Sequence, residues 1–187
     1  FGPKVTVVQY PVNAGVGFNS IIDLTKMKML KFPENGGAPE LLDIPASEQA
    51  KAEELQGVLI ENAAEADEAL METFFENGTL TEEELHSGLV KGIAGREMYP
   101  VLCINAKHNM GVGNLMEFIN SATPAPDAAA PMKTTEGKEL TCDGSAPFTA
   151  LVFKTSVESH LGEISFFKVL NGELTEAMDV NNPRRGN

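Results

Sequence analysis

Asn105-Ala106-Lys107-His108-Asn109 places four hydrogen-bonding side chains between two apolar stretches. Met98 to Ile104 before it is an apolar run opened by Pro100, which predicts a buried strand of a parallel sheet. Val112, Leu115, Met116 and Ile119 after it recur at helical spacing. In open α/β sheets ligands sit at the carboxyl ends of strands, so this loop is the first candidate site. A small-molecule reaction there would need a deep pocket and an acid or base with a perturbed pKa. The other reactive residue types do not assemble into a centre. His86, His108 and His160 lie far apart, and none falls in an HxxxH or HExxH pattern. No GxxxxGK[ST] phosphate loop occurs. Gly111-Val112-Gly113 stands between strand and helix, but a dinucleotide fingerprint needs a third glycine where this chain has Met116. Cys103 reads as a small core residue and Cys142 lies in a polar stretch. Two such cysteines make neither a disulfide framework nor a zinc site, and a reducing, cytoplasmic compartment is expected.

The elements around the loop follow from local patterns. Lys4 to Tyr10, Phe18 to Leu24, Met27 to Phe32 and Leu41 to Ile44 carry strand signals. Together they predict a small antiparallel sheet. Ser47 opens a long helix whose apolar side is Leu55, Leu59, Ala63, Ala66, Leu70 and Phe74. Asn77-Gly78 ends it, and Gly57 is a candidate break. Thr81-Glu82-Glu83-Glu84 is a capping box that opens another helix through Leu85 and Leu89. Residues 122–131, ATPAPDAAAP, form a Pro/Ala linker. Beyond it Phe148 to Lys154 and Ile164 to Leu170 read as two strands joined through His160-Leu161-Gly162, with a turn at Asn171-Gly172. They look like the opening of a β-barrel, while residues 181–187 offer no further strand.

The formal charge of −13 argues against a direct nucleic-acid grip by phosphate neutralisation. The acid is concentrated: Ser47 to Glu84 holds twelve Asp or Glu against one Lys, Lys51. A solvated helical face accounts for such charge, and so does a docking surface for a basic partner. No apolar run is long enough for a transmembrane helix, so no membrane partner is expected.

Five blocks in order carry a resemblance: VVQYPVNAGVGFNSIIDLTKMK, the acidic stretch from Ile44 to Leu85, YPVLCINAKHNMGV, PFTALVFK and GEISFFKVLNGEL. Taken together they resemble bacterial elongation factor G, a translational GTPase, or a close paralogue, from about Val5 to Asp179. The resemblance implies an α/β fold: an α+β insert subdomain attached to the end of a P-loop GTPase-type domain, followed by a partial β-barrel. Residues 1–97 would be the insert, 98–122 the last strand and helix of the GTPase core, 123–131 a linker and 132–187 the start of the barrel. The phosphate loop, switches and NKxD motif would precede Phe1, making the chain a middle slice of its parent.

The same resemblance places a guanine-contacting triplet on Asn105, Ala106 and Lys107. The Ala106 N–H would donate to the guanine O6, and Asn105 stands where serine is usual. The acidic helix would dock the ribosomal stalk protein through Glu54, Glu61, Glu65 and Glu68. GTP or GDP and Mg would belong to the parent; the slice itself is expected to be non-catalytic and without metal. The alternative is a stand-alone acidic adaptor that binds a basic ribosomal protein without nucleotide.

Overall fold

A computed structural model describes residues 2–128 and 130–183. The chain divides into two compact units, Phe1–Pro124 and Ala125–Asn187. The first contains β1 (Val5–Val7), β2 (Gln9–Pro11), β3 (Ser20–Asp23), β4 (Lys28–Lys31), β5 (Glu40–Leu42), α1 (Ala46–Ala64), α2 (Glu68–Asn77), α3 (Glu82–Ala94), β6 (Tyr99–Val101) and α4 (Val112–Ala122). The second contains β7 (Met132–Lys133), β8 (Glu139–Leu140), β9 (Thr149–Glu158) and β10 (Gly162–Asn171). The architecture is mixed α and β, with parallel and antiparallel pairing and no closed barrel among the described residues.

The run read as one strand, Lys4 to Tyr10, serves two sheets. It bends at Val8: β1 pairs in parallel with β6, whereas β2 begins an antiparallel sheet of order β2-β3-β4-β5. The antiparallel sheet was legible, but β1 does not belong to it. The Val8 N–H donates to the Val101 carbonyl and the Val8 carbonyl accepts from Leu24, so this residue ties the two sheets together. The strand expected over Met98 to Ile104 pairs only through Tyr99–Val101.

The long acidic helix is two helices. α1 runs unbroken through Gly57, and the break falls at Asp67. Asp67 caps α2, its carboxylate accepting from the Ala69 and Leu70 N–H groups. Lys91 of α3 holds the same carboxylate at 2.6 Å. α1 buries Ala52, Leu59, Ile60, Ala63 and Ala64 against a core that also takes Val8, Leu24, Leu85 and Leu89. Burial of one such leucine stabilises by about 1.5–3 kcal/mol. α1 also reaches β1 through a hydrogen bond from Asn62 Nδ2 to Thr6 Oγ1, 2.9 Å. α3 starts on the predicted capping box, both arms of which form. It crosses α1 at Gly88, where a Cβ would stand 2.5 Å from the Ala63 carbonyl oxygen. Glycine is what lets the two helices approach there.

In the second unit β9 and β10 form a long antiparallel hairpin and β7 pairs with β8. Leu151, Val152, Phe153, Val157, Phe166 and Phe167 of the long hairpin are exposed. The tail from Asn181 to Pro183 forms no strand, and residues 184–187 lie outside the described part.

Candidate functional site

The chain leaves β6, runs through Leu102, Cys103 and Ile104, and closes a small loop by exchanging two backbone hydrogen bonds. The Asn105 N–H donates to the Met110 carbonyl at 2.9 Å, and the Met110 N–H donates back to the Asn105 carbonyl at 3.0 Å. Between them Ala106–His108 make one turn of 3-10 helix. Asn105 caps it: its side-chain oxygen accepts from the His108 N–H at 3.3 Å. Asn109 closes the turn in the left-handed region, φ 53°, a conformation asparagine tolerates better than most residues. Ala106 occupies the first position of the turn, where an N–H has no partner inside the helix, and it is exposed. Lys107 beside it is also exposed. The triplet Asn105, Ala106 and Lys107 therefore lies on one turn. Asn105 braces the backbone, and the Ala106 amide opens the turn.

The packing beneath the loop explains its fixed shape. Met110 is buried with Ile21, Leu30 and Phe32 of the antiparallel sheet, and Phe18 and Cys103 pack on that cluster. The reading of Cys103 as a small core residue fits its place against this cluster. The Cys103 thiol donates to the Gln9 carbonyl at 3.4 Å, and burial pushes its pKa up. Gly111 then turns the chain into α4 at φ 74°; a Cβ there would meet the Cys103 carbonyl oxygen at 2.7 Å.

A second contact was not legible in the sequence. The Gly36 backbone lies so close to the loop that a Cβ on it would stand 2.1 Å from the His108 carbonyl oxygen. The Gly36-Gly37 pair was the visible signal, although it could not say which segment it met. Next to this contact is a cavity of about 290 Å³. Of the loop, Asn109 lines it, together with Ala38, Gly113 and Asn114. Backbone donors and amides dominate the loop, which suits it to reading a carbonyl-bearing edge rather than to moving protons.

The four acids named for docking are all exposed. Glu54 and Glu61 lie on α1, Glu65 is its C-terminal cap and Glu68 opens α2, so they do not share one helix. Val58, 47% exposed, lies between Glu54 and Glu61 on α1. α1 has no basic residue in its last turn, so Glu61 and Glu65 face the negative end of the helix dipole. That arrangement costs about 0.3–1 kcal/mol per charge. Among the described residues no three His, Cys, Asp or Glu side chains gather as a metal site, and no helix is long and apolar enough to cross a membrane.

No family model matches the chain. Among solved structures, the chain is similar to a protein from Thermus thermophilus known from its crystal structure, with a TM-score of 0.67 and 21% sequence identity. The match covers 90% of this chain and 23% of the Thermus chain, so this chain spans less than a quarter of that protein. At this identity the likeness shows a shared fold.

Proposed function

We propose that the chain is a segment of a ribosomal translocation GTPase similar to elongation factor G. In this reading GTP or GDP with Mg is held by the rest of the parent, and the ribosome is its partner in the elongation phase. The observation that carries it is the exposed loop after β6, where the Asn105 side chain braces a single turn that begins at Ala106. A backbone N–H held this way donates to the O6 edge of guanine and finds no acceptor in the amino group of adenine. One such bond contributes about 1 kcal/mol, so the segment alone does not hold a nucleotide tightly. Phosphate and Mg contacts supply most of that hold.

The test uses the longer protein. Its reading frame upstream of Phe1 should carry a phosphate loop, DxxG and NKxD. In that protein Ala106→Pro removes one N–H at a position where proline is tolerated, after a residue already extended at φ −122°. GDP affinity should fall about fivefold with the fold intact, the equivalent of one hydrogen bond of about 1 kcal/mol. Unchanged affinity, or an upstream frame without those motifs, refutes the reading.

The exposed acids at the negative end of α1 support docking of a basic protein, for which the ribosomal stalk is the expected partner. Reversing Glu61 and Glu65 to Lys should slow association and flatten its salt dependence. If the upstream motifs are absent but this effect is present, the acidic-adaptor reading replaces the GTPase one.

A further inference from the structure

The connection between β4 and β5 is a strap laid against the loop after β6. It starts and ends on the antiparallel sheet, where Lys31 stands opposite Glu40. Phe32 anchors its first residue. That side chain is 3% exposed and shares one buried cluster with Met110, and the Phe32 N–H donates to the Asn19 carbonyl at 2.8 Å. A turn follows, closed by the Gly36 N–H on the Pro33 carbonyl at 2.9 Å. Gly36 and Gly37 stand at φ 74° and 110°, both in the left-handed region that favours glycine. Gly37, Ala38 and Pro39 then line the cavity of about 290 Å³ together with Asn109, Gly113 and Asn114.

Of the two glycines, Gly36 meets the loop. A β-carbon on it would overlap the His108 carbonyl oxygen and stand 3.1 Å from the Asn109 carbonyl oxygen. The α-hydrogen in that place therefore faces the His108 carbonyl, a Cα–H···O contact. Gly37 has nothing within 4 Å of its added β-carbon. The strap is the better held of the two partners. The turn Ala106–His108 closes on two bonds of 3.3 Å, from the Asn109 N–H to the Ala106 carbonyl and from the His108 N–H to the Asn105 side chain. Both are longer than the usual range of about 2.7–3.2 Å. A side chain at Gly36 thus displaces the turn rather than the strap, by about 1 Å.

We infer that Gly36 is a positioning residue: it sets the place of the turn, and with it the Ala106 N–H that reads the base. The inference rests on the reading of Ala106 as the donor to guanine O6. It adds to that site's selectivity a residue distant in sequence, carried by the connection of the antiparallel sheet. The contact admits only hydrogen, and a hydrogen bond to the base weakens steeply once donor and acceptor lose alignment.

The test has one stage in the 187-residue chain and one in the longer protein. In the isotope-labelled chain, nuclear Overhauser effects should join the Gly36 α-protons to the Asn109 N–H. Gly36→Ala should shift the amides of Ala106 to Asn109. Gly37→Ala brings left-handed strain without the contact and should leave them in place. In the longer protein Gly36→Ala should lower GDP affinity about fivefold, the loss of one hydrogen bond, and Gly37→Ala should not change it. The analogue 6-thio-GDP differs from GDP only at O6, where sulfur is the poorer acceptor. The preference for GDP over this analogue should shrink in Gly36→Ala and persist in Gly37→Ala, because a merely structural defect weakens both nucleotides alike. Missing Overhauser effects in the unsubstituted chain, equal amide shifts in the two variants, or an unchanged preference overturns the inference. If Ala106→Pro weakens GDP and Gly36→Ala does not, the positioning role alone fails; if Ala106→Pro leaves GDP binding unaltered, the guanine reading itself has failed.

Discussion

Two glycine-to-alanine substitutions on neighbouring helices should change stability in opposite directions. Gly88 lies where α3 crosses α1. An added β-carbon would stand 2.5 Å from the Ala63 carbonyl oxygen and 2.9 Å from both its carbonyl carbon and its Cβ. None of these atoms can rotate away. Restoring ordinary carbon contact distances requires the helices to part by about 1 Å. Overpacking of this kind costs about 1–3 kcal/mol, and the better helix propensity of alanine returns about 1 kcal/mol. The shift also loosens Leu59, Leu85 and Leu89 in the shared core, which places the net loss near the upper end, about 2 kcal/mol. Gly57, in the middle of α1, has nothing within 4 Å of its added β-carbon. Gly57→Ala should therefore stabilise by about 0.5–1 kcal/mol. Tyrosine fluorescence during urea unfolding is a clean assay, because Tyr10 and Tyr99 both lie in the first unit and the chain has no Trp. With a slope of about 2 kcal/mol per molar urea, the midpoint should fall by about 1 M for Gly88→Ala and rise by about 0.25–0.5 M for Gly57→Ala. A Gly88→Ala midpoint at or above that of the parent chain would refute the packing argument.

Thr81→Ala removes the hydroxyl that accepts from the Glu84 N–H, and it should cost about 1 kcal/mol in the same assay. Unchanged stability would mean that the first turn of α3 contributes nothing. The Lys91 ammonium, followed by the Leu70 and Ala69 N–H groups, holds the Asp67 carboxyl below its usual range. A depressed folded pKa gives stability that is present above the unfolded carboxyl value and lost as pH falls through the folded one, so the first unit should weaken below about pH 4. Lys91→Met should flatten that acid limb, and an unaltered limb would count against the pair. Burial, with the Glu48 charge and hydrogen bond adding to it, pushes the Tyr10 phenol up to about 12. Its contribution is complete below the unfolded value of about 10 and lost as pH rises through the folded one. Tyr10→Phe should therefore make the first unit more resistant between about pH 10 and 12, measured by circular dichroism. Amides of Thr149–Glu158 and Gly162–Asn171 should exchange faster than those around Leu59, because a two-stranded hairpin with exposed apolar side chains is marginal alone. Equal protection in a monomer would contradict this.

What the sequence disclosed was local. The Thr81–Glu84 capping box could be read because both partners lie within one turn of the chain. The left-handed turn at Gly78 and the connection between β9 and β10 follow from residues within a few positions of one another. The helix break was misplaced at Gly57 because a propensity penalty of about 1 kcal/mol is smaller than the burial that holds α1 together, whereas Asp67 gave a side-chain cap to a new start. Partners distant in sequence were not legible. Nothing near Val5 announces Tyr99, and nothing in Gly36 announces His108. Gln9 and Asp23 were visible as polar letters inside apolar runs, but their facing each other depends on the register of β2 and β3.

The parallel pairing of β1 with β6 also sets an order of events. Contacts beside it, Lys4 with Glu97 and Cys103 with Gln9, span 93 and 94 positions of chain. Closing so long a loop adds little equilibrium cost, since each doubling of length adds only about 0.6 kcal/mol, but the search for the partner is slow. During synthesis from the N-terminus, β1 can be held on one face by α1 while its edge stays bare until β6 emerges. A chain released between α3 and β6 would keep that edge of valines unpaired, open to pairing with another copy.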